Sequence, residues 1–445
     1  MIWHLKILNH IGKYKSNIIM QKIYSISEYG SFIRDKNISG YTSLPESTFD
    51  ALEDFLLSNC NQETDALELM VLSSKKGIGK IIKAKNYVGI IAMKDGTVIE
   101  ILPKIYSSKK YDTKSVKLLL IEMLKTLKNT PFKSLQMNNL DIEKIPVLEI
   151  FIRMYIDEVF QIVKKGLKCN YETKSSNESL FRGKMNFSNQ IKYNYAHKER
   201  CFVEYDDFNT NRIENILLKS TLELLYKKTI SSKNKMDIKT LLNSFQDVNT
   251  SDNYKKDFDK IVIDRNTKDY QKALVWSKIF LMNKSFSSFS GSHVAFSLLF
   301  PMETLFESYI AFNISKLLKT TDYNVTIQDR RFYLFDKPTK KFALRPDIVI
   351  HNDESCHPII IDTKWKLLAE NKINCGISQI DMYQMYAYHK KFNARKAILV
   401  YPKAEQFISN KKINYYSQDG VDIRINFVDL FNLNNSLINI IDLLD

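Results

Sequence analysis

Two aspartates and a lysine stand beside apolar runs within residues 342–366 of this 445-residue chain. Asp347 directly precedes an Ile-Val-Ile run, Asp362 ends a second apolar run, and Lys364 follows two residues later. Runs of β-branched residues separated by turn-forming residues predict a hairpin of two buried strands. Residues two apart in a strand point to the same face, so Asp362 and Lys364 are expected on one side of the hairpin.

Burying carboxylates is costly unless they are paired or bound to a metal ion. We therefore predict that Asp347 and Asp362 bind Mg²⁺ as hard oxygen ligands. Lys364 would help to orient or deprotonate an attacking water and offset charge in the transition state. These three residues are the predicted catalytic set. The simpler alternative is a surface hairpin with a salt bridge, because short patterns of this kind also arise by chance.

The spacing D-x14-D-x-K, with Pro346 before the first acid, resembles the signature of the PD-(D/E)xK nucleases. A helix near residues 301–307, the two strands, a helix over 379–392 and a further strand follow the order of that nuclease fold. Within the second helix, Gln384 and Tyr388 form Q-x-x-x-Y, which resembles the extra motif of RecB-like members. The resemblance implies an α/β restriction-endonuclease-like domain, in which these two residues pack on the active-site strands or touch the DNA backbone.

Two assignments stay open at the level of sequence. Glu303 and Glu307 are four residues apart and share a helix face, so either could reach the metal, and we prefer Glu307; both could equally be solvated helix charges. Lys366 shares the strand face of Lys364 and could replace it. Arg345 could contact a phosphate or pair with an acid.

The composition of the chain indicates its cellular compartment and the kinds of partner that it could bind. No apolar run approaches the 18 to 20 or so residues that span a bilayer, and no signal-peptide pattern is visible, which predicts a cytoplasmic protein without membrane contact. Five scattered cysteines without C-x-x-C indicate reduced thiols rather than zinc. The net charge is +15, of which residues 291–445 contribute only +2. The basic excess suits DNA, an acidic protein partner, or a lysine-rich proteome, and we weigh these equally.

The order of patterns predicts two domains behind a short extension. Residues 1–19 are expected to be a poorly ordered extension, 20–284 an α+β region that is first β-rich and then helical, and 285–445 the nuclease domain. A hairpin is predicted over residues 87–102 around Lys-Asp-Gly, and a serine-rich linker over 285–292. Further predictions are helices over 47–57, 115–127, 146–165, 208–228, 236–245 and 270–282, and a β-rich segment over 168–205.

A glycine-lysine pair at Gly79-Lys80 invites comparison with a phosphate-binding loop. Ser74 stands where that loop needs its first glycine, and Ile81 where it needs Ser or Thr. We therefore predict a basic turn here. We found no other nucleotide-hydrolysing motif, so any NTPase activity in the system is expected on another chain.

Several separate pieces occur in the order found in the McrC family, the nuclease subunit of McrBC-type 5-methylcytosine-specific restriction systems. They are Glu28-Tyr29-Gly30, Ile101 to Ile105, Arg182-Gly183, Asp207 to Arg212 and Pro301 to Glu307. The resemblance spans roughly residues 20 to 430. It implies cleavage of double-stranded DNA and a hexameric McrB-like AAA+ GTPase partner that binds GTP and reads the modified base. The N-terminal half would dock on that motor and stimulate GTP hydrolysis.

Two other functions stay open. The chain could be a stand-alone RecB-like DNA repair nuclease, although the long N-terminal half disfavours this. It could also be a non-catalytic DNA-binding or scaffold subunit with a decayed nuclease fold, although the presence of Asp347, Asp362 and Lys364 together disfavours decay.

Overall fold

The computed structural model describes residues 22–58, 69–93, 95–105, 112–127, 146–262, 265, 267–282, 294–352, 355–403 and 413–441. The predicted extension 1–19 and linker 285–292 lie outside these ranges. Within them, none of the helices has the length and apolar character needed to cross a membrane.

The N-terminal region is built from two sheets around a small core. Its elements are β1 (Ile23–Ser27), β2 (Ser31–Arg34), β3 (Thr42–Leu44), α1 (Glu46–Ser58), β4 (Met70–Lys75), β5 (Gly79–Ala84), β6 (Tyr87–Met93) and β7 (Val98–Leu102). One sheet has the order β3-β2-β5-β4, and β1, β7 and β6 belong to the other. Phe32, Phe49 and Phe55 fill the core between them together with Ile99.

Both tight turns predicted in this region are confirmed. In the β6–β7 hairpin, an Asp95 oxygen accepts the Thr97 N–H at 2.8 Å, and Gly96 has a φ of 88°. The basic turn between β4 and β5 contains Gly77 with a φ of 83°. Positive φ favours glycine, so these turns follow from the local sequence.

A helical core follows, with a thin sheet inserted in it. The elements are α2 (Thr113–Thr126), α3 (Val147–Lys165), β8 (Asn170–Glu178), β9 (Lys184–Met185), α4 (Phe187–Asn194), β10 (Cys201–Asn209), α5 (Ile213–Lys228), α6 (Ser232–Asn243), α7 (Tyr254–Asp259) and α8 (Gln271–Met282). Phe151, Tyr155, Trp276 and Phe280 are buried at the centre of the helices. The helix predicted over 146–165 is confirmed, and Gly166 ends it with a φ of 86°.

The predicted start of one helix was wrong, and the segment predicted to be β-rich over 168–205 is confirmed except for one short helix. The helix expected from Phe208 begins only at Ile213, because Phe208 and Asn209 pair with β8 in the thin sheet. Conversely, α4 interrupts the segment expected to be β-rich, and the Asn186 side chain caps it by accepting the Asn189 N–H. In each case non-local pairing or a local cap outweighed the helix or strand preference of the residues.

The remaining elements are centred on a six-stranded sheet that has helices on both faces. They are β11 (Val294–Pro301), α9 (Met302–Leu317), β12 (Tyr323–Ile327), β13 (Tyr333–Phe335), β14 (Lys341–Ala343), β15 (Ile348–Asn352), β16 (Ser355–Thr363), α10 (Gln379–Lys391), β17 (Lys396–Pro402), β18 (Ile413–Tyr416), β19 (Asp422–Val428) and α11 (Leu433–Ile441). The sheet order is β12-β15-β16-β17-β19-β18. The β15–β16 pair is antiparallel, whereas β17 runs parallel to β16 and to β19.

Burial of both sheet faces explains the unbroken apolar runs in β15 and β16. Ile348 and Ile350 point to the core that contains Phe306 of α9. Val349, between them, points to the core that contains Met385 of α10. Alternate residues of one strand therefore contact different helices, as expected when a sheet is covered on both faces.

Strand β11 belongs to the N-terminal sheet. It pairs antiparallel with β6, with Leu298 opposite Ile90 and Leu299 opposite Gly89. The sheet order is therefore β1-β7-β6-β11. The predicted division between residues 284 and 285 stays a prediction, but the chain returns to the N-terminal sheet after that point before it enters α9.

The close approach of β11 to Gly89 gives a stability prediction. Gly89 has a φ of 135°, and a Cβ there would lie 1.9 Å from the Leu298 carbonyl oxygen. Gly420 also has a positive φ, 83°, but its Cβ would meet open space. We expect Gly89→Ala to lower the free energy of unfolding by more than about 4 kcal/mol and Gly420→Ala by about 1 to 2 kcal/mol.

Urea unfolding of the two variants measures this difference. Equal losses for Gly89→Ala and Gly420→Ala would mean that β11 does not press against β6 as described.

Candidate active site

The β15–β16 register brings the two predicted aspartates together. Ile348 pairs with Ile361, and extending the antiparallel register by one residue places Asp347 opposite Asp362. Asp347 precedes β15 and Asp362 lies near the end of β16, so both carboxyl groups lie at the same end of the hairpin.

Asp362 is the more buried of the two acids, with 2% of its surface exposed. Burial and the nearby charge of Asp347 raise its pKa to about 7, against the opposing effect of Lys364. The Lys364 Nζ lies 2.8 Å from Asp362 Oδ2 as an ion pair. Apart from this ion pair, no hydrogen bond of good geometry to this oxygen occurs among the described residues.

Asp347 is fixed by the strand that carries Asp362. Its Oδ2 accepts the Thr363 N–H and the Thr363 hydroxyl, both at 2.7 Å. Burial raises the pKa of Asp347, and these two hydrogen bonds, with Lys364 and Arg345, oppose the shift. The carboxyl group is therefore oriented through one of its oxygens.

Lys364 is held between an acid and an amide. Besides contacting Asp362, its Nζ donates to Gln384 Oε1 at 3.0 Å, and Gln384 Nε2 donates to the Tyr388 hydroxyl at 2.6 Å. Burial lowers the pKa of Lys364, but the negative charges of the surrounding carboxylates have the larger effect, so the pKa is raised. Asp362 makes the largest contribution among these carboxylates. The ammonium therefore keeps its charge, and the two predicted supporting residues of α10 contact it directly or through one another.

Of the two glutamates on α9, Glu307 lies with the aspartates. Burial, and to a smaller extent the negative charge of Asp347, raises the pKa of Glu307. The Gln328 side-chain amide donates a hydrogen bond to Oε1 of Glu307. Arg345 in turn donates to the side-chain amide oxygen of Gln328. Glu303 is exposed and acts on the N-terminal Glu28 instead, where its charge helps to raise the pKa.

Of Lys364 and Lys366, the two lysines considered for the active site, only Lys364 makes side-chain contacts with the other predicted site residues among the described contacts. Lys366 is exposed, whereas Lys364 makes the contacts with Asp362 and Gln384. The ring of His357 lies elsewhere, with Nδ1 2.9 Å from the Asn393 carbonyl oxygen.

The donor set fits a hard divalent cation. No group of three or more His, Cys, Asp or Glu side chains suited to a metal occurs in the described ranges. The two aspartates, held together at one end of the hairpin, match the usual coordination of Mg²⁺, which takes one or two carboxylates and completes its shell with water and substrate oxygens. Zinc prefers nitrogen and sulfur donors, which this site lacks.

Sequence reasoning missed a buried contact that links the site to the N-terminal sheet. Glu28 is fully buried, and both of its oxygens lie within 3.1 Å of the Trp365 indole N–H. Oε1 also accepts the Lys104 N–H at 2.9 Å. Burial raises the pKa of Glu28 to about 7, against these hydrogen bonds. The only signal in the sequence was that Glu28 and Lys104 each belong to a family-like segment.

Comparison with known proteins identifies the family. A family model described as McrBC 5-methylcytosine restriction system component matches residues 82–402. The chain belongs to this McrBC family. The resemblance predicted from the sequence is therefore confirmed, and no curated protein matches the chain.

Solved structures agree with this McrBC-family assignment at the level of fold. One is a chain in half of a tetradecameric assembly of Thermococcus gammatolerans McrB AAA+ hexamers with bound McrC; it is 18% identical, has a TM-score of 0.68, and the match covers 94% of this chain and 100% of that one. A chain of the Thermococcus gammatolerans McrBC complex is 19% identical, with a TM-score of 0.50 over 67% of this chain and 88% of that one.

Burial of Glu28 predicts a pH-dependent stability. Its folded pKa of about 7 exceeds the ordinary value of 4.5, so the folded state holds the proton more tightly. That contribution is fully present below about pH 4.5 and is lost as the pH rises to about 7. Relative to Glu28→Gln, which stays neutral, the wild type should lose about 2 to 3 kcal/mol of unfolding free energy between pH 5 and pH 8.

Denaturant unfolding of both proteins across this pH range measures the effect. Trp365→Phe removes a donor to the carboxylate and should destabilise more at pH 8 than at pH 5. Parallel stability curves for the wild type and Glu28→Gln would contradict the assignment.

Proposed function

We propose that this protein is the endonuclease subunit of a modified-cytosine-directed restriction system and hydrolyses DNA phosphodiester bonds with Mg²⁺. The observation that carries the proposal is the meeting of Asp347, Asp362 and Lys364 in one half-buried site of an McrBC-family chain. The sheet with helices on both faces supports a PD-(D/E)xK restriction-endonuclease-like domain, working in the cytoplasm.

Each side chain has a role that follows from its contacts. Asp347 and Asp362 would hold Mg²⁺, which supplies Lewis-acid activation of the scissile phosphate and of water when bound. Lys364 directs an ammonium toward the same point and can donate to the attacking water or to a phosphate oxygen. Gln384, which is hydrogen-bonded to Tyr388, holds that ammonium in position. Glu307 adds a third carboxyl group beside Asp347.

We further propose a McrB-like AAA+ GTPase hexamer as the partner. The similar solved structures are of McrB hexamers with bound McrC and of an McrBC complex. In this chain the Gly79-Lys80 pair forms the start of β5 and lacks the residues of a phosphate-binding loop, so we expect GTP to be bound and hydrolysed by the partner. The modified base would also be read there.

The thin β8–β10–β9 sheet, together with α4, is the best candidate for docking on that partner. Its exposed apolar side chains include Leu180, Phe181 and Tyr195, with 78%, 60% and 85% of their surfaces exposed. Clusters of exposed apolar residues mark interaction sites. A thin sheet carrying such residues suits insertion into a groove or between subunits.

Substitutions in the site test the nuclease assignment. Asp362→Ala and Lys364→Ala should each lower DNA cleavage by a factor of about 10² or more while fold and partner binding persist. Lys366→Ala is the matched control, because this exposed lysine is two residues away, and it should cleave at nearly the wild-type rate. The assay uses Mg²⁺, partner and GTP at about 150 mM salt.

Wild-type cleavage by Asp362→Ala would show that the nuclease assignment is wrong. Because residues 291–445 carry a net charge of only +2, the chain alone should bind and cut DNA poorly at this salt concentration. Efficient cutting of unmodified DNA without the partner would instead favour a stand-alone repair nuclease.

Docking is tested on the full-length chain with paired surface variants. Leu180→Ser combined with Phe181→Ser should abolish stimulation of partner GTP turnover, because the apolar docking surface is lost. The control is Ile373→Ser, an apolar side chain with 91% of its surface exposed in the nuclease part. Retained stimulation in the double variant, or its loss in the control, would place docking elsewhere.

A further inference from the structure

A small hairpin stands directly before the catalytic segment. Strands β13 and β14 form a two-stranded sheet of their own, with Tyr333 opposite Ala343 and Phe335 opposite Lys341. Asp347 follows four residues after the hairpin ends. We call residues Tyr333–Ala343 the β13–β14 hairpin.

The β13–β14 hairpin exposes two aromatic rings. Phe335 and Phe342 have 54% and 69% of their surfaces exposed, and their rings meet edge to face at 6.0 Å. The rings contact one another across the two strands, and most of each remains open to solvent.

Phe342 also has an unfavourable backbone conformation. Its φ is 57°, in the left-handed region that bulky side chains rarely adopt. An exposed ring recovers little of that free energy through burial. Strain of this kind persists where the surrounding structure enforces it and is concentrated at functional sites.

Positive charge is concentrated on the same hairpin. It carries Lys337, Lys340 and Lys341 against one acid, Asp336. Asp336 is 3.0 Å from the Lys391 Nζ of α10, so its charge is already balanced. The hairpin thus has a local positive excess inside a nearly neutral domain.

The base of the hairpin is tied to the catalytic site. The Leu344 N–H donates to the Phe332 carbonyl oxygen at 2.9 Å, and the Phe332 ring packs on Phe392 at 4.5 Å. The Gln328 N–H donates to the Asp347 carbonyl oxygen at 2.9 Å. The hairpin is therefore held in a defined position beside the acids.

We propose that the β13–β14 hairpin is a duplex-DNA contact element that grips the substrate next to the scissile phosphate. This rests on the proposed nuclease function and adds to it the surface that binds the substrate. Lys337 and Lys341 neutralise backbone phosphates, and Phe342 presents its ring to the sugars or base edges. A two-stranded ribbon fits the major groove of B-form DNA, and the excess of lysines favours a polyanion over a second copy of the same basic surface.

The test is binding of a labelled duplex to the full-length chain in EDTA at about 50 mM salt, where weak non-specific contacts are measurable. Lys337→Gln with Lys341→Gln should weaken binding about tenfold. It should also reduce the slope of log affinity against log salt by about 2, one unit for each lost phosphate contact. The matched control is Lys316→Gln with Lys319→Gln, which removes the same charge from two exposed lysines in the last turn of α9 and in the 3₁₀ turn after it.

Phe342→Gly separates a binding role from a structural one. Glycine accepts the positive φ, so the unfolding midpoint should stay the same or rise, whereas DNA affinity should fall several-fold. A lower unfolding midpoint with unchanged affinity would make Phe342 a structural residue and overturn its role in DNA contact.

Other outcomes overturn the proposal in distinguishable ways. Equal affinity losses in the hairpin and control pairs, or no loss in either, would mean that the hairpin does not contact DNA. A change in the sedimentation of the DNA-free chain with Phe342→Gly, at unchanged DNA affinity, would make the hairpin a contact between copies. Because binding is measured without metal, these results do not depend on cleavage. Failure of the wild type to cleave with partner, GTP and Mg²⁺ would instead contradict the nuclease proposal.

Discussion

Two carboxyl groups held largely out of water at one end of the β15–β16 hairpin impose the main constraint on this structure. Desolvation disfavours their charged forms and raises the pKa of both Asp347 and Asp362. Buried acids of this kind require compensating partners in fixed positions. The Thr363 N–H and hydroxyl supply these for Asp347, and Lys364 supplies charge for Asp362. The remaining acceptor capacity is what a divalent cation would satisfy.

The N-terminal region contacts this site from two directions. Strand β11 pairs with β6 and leads directly into α9, whose first N–H, on Met302, donates to the Asn86 carbonyl oxygen at 2.8 Å. That helix carries Glu307 to the side of Asp347. From the other direction, Glu28 holds the indole of Trp365, the residue after Lys364. The N-terminal sheet and the candidate active site are therefore joined by these two contacts, although they are far apart in sequence.

The parts of this arrangement that were predictable from sequence are those set by local pattern. Unbroken β-branched runs predicted β15 and β16, and two-residue spacing placed Asp362 beside Lys364, because these features depend only on burial and strand geometry. The preference for Glu307 over Glu303 could not be settled that way. Both lie on one helix face, and the orientation of that helix depends on non-local contacts, among them the pairing of β11 with β6. The Glu28–Trp365 contact was invisible for the same reason: an isolated acid near the start of a sequence gives no information about a partner more than 300 residues away.

Charge and exposed apolar surface are distributed unequally over this chain, and the difference separates its two proposed contacts. The thin sheet near Phe181 presents exposed apolar side chains, which suits a protein partner. The β13–β14 hairpin combines lysines with aromatic rings next to Asp347, which suits a phosphate backbone. A domain with so little net charge cannot rely on long-range attraction to DNA. Its positive groups can act on DNA only over short distances. A short basic hairpin fixed beside the acids would therefore be placed to contact DNA at the proposed active site.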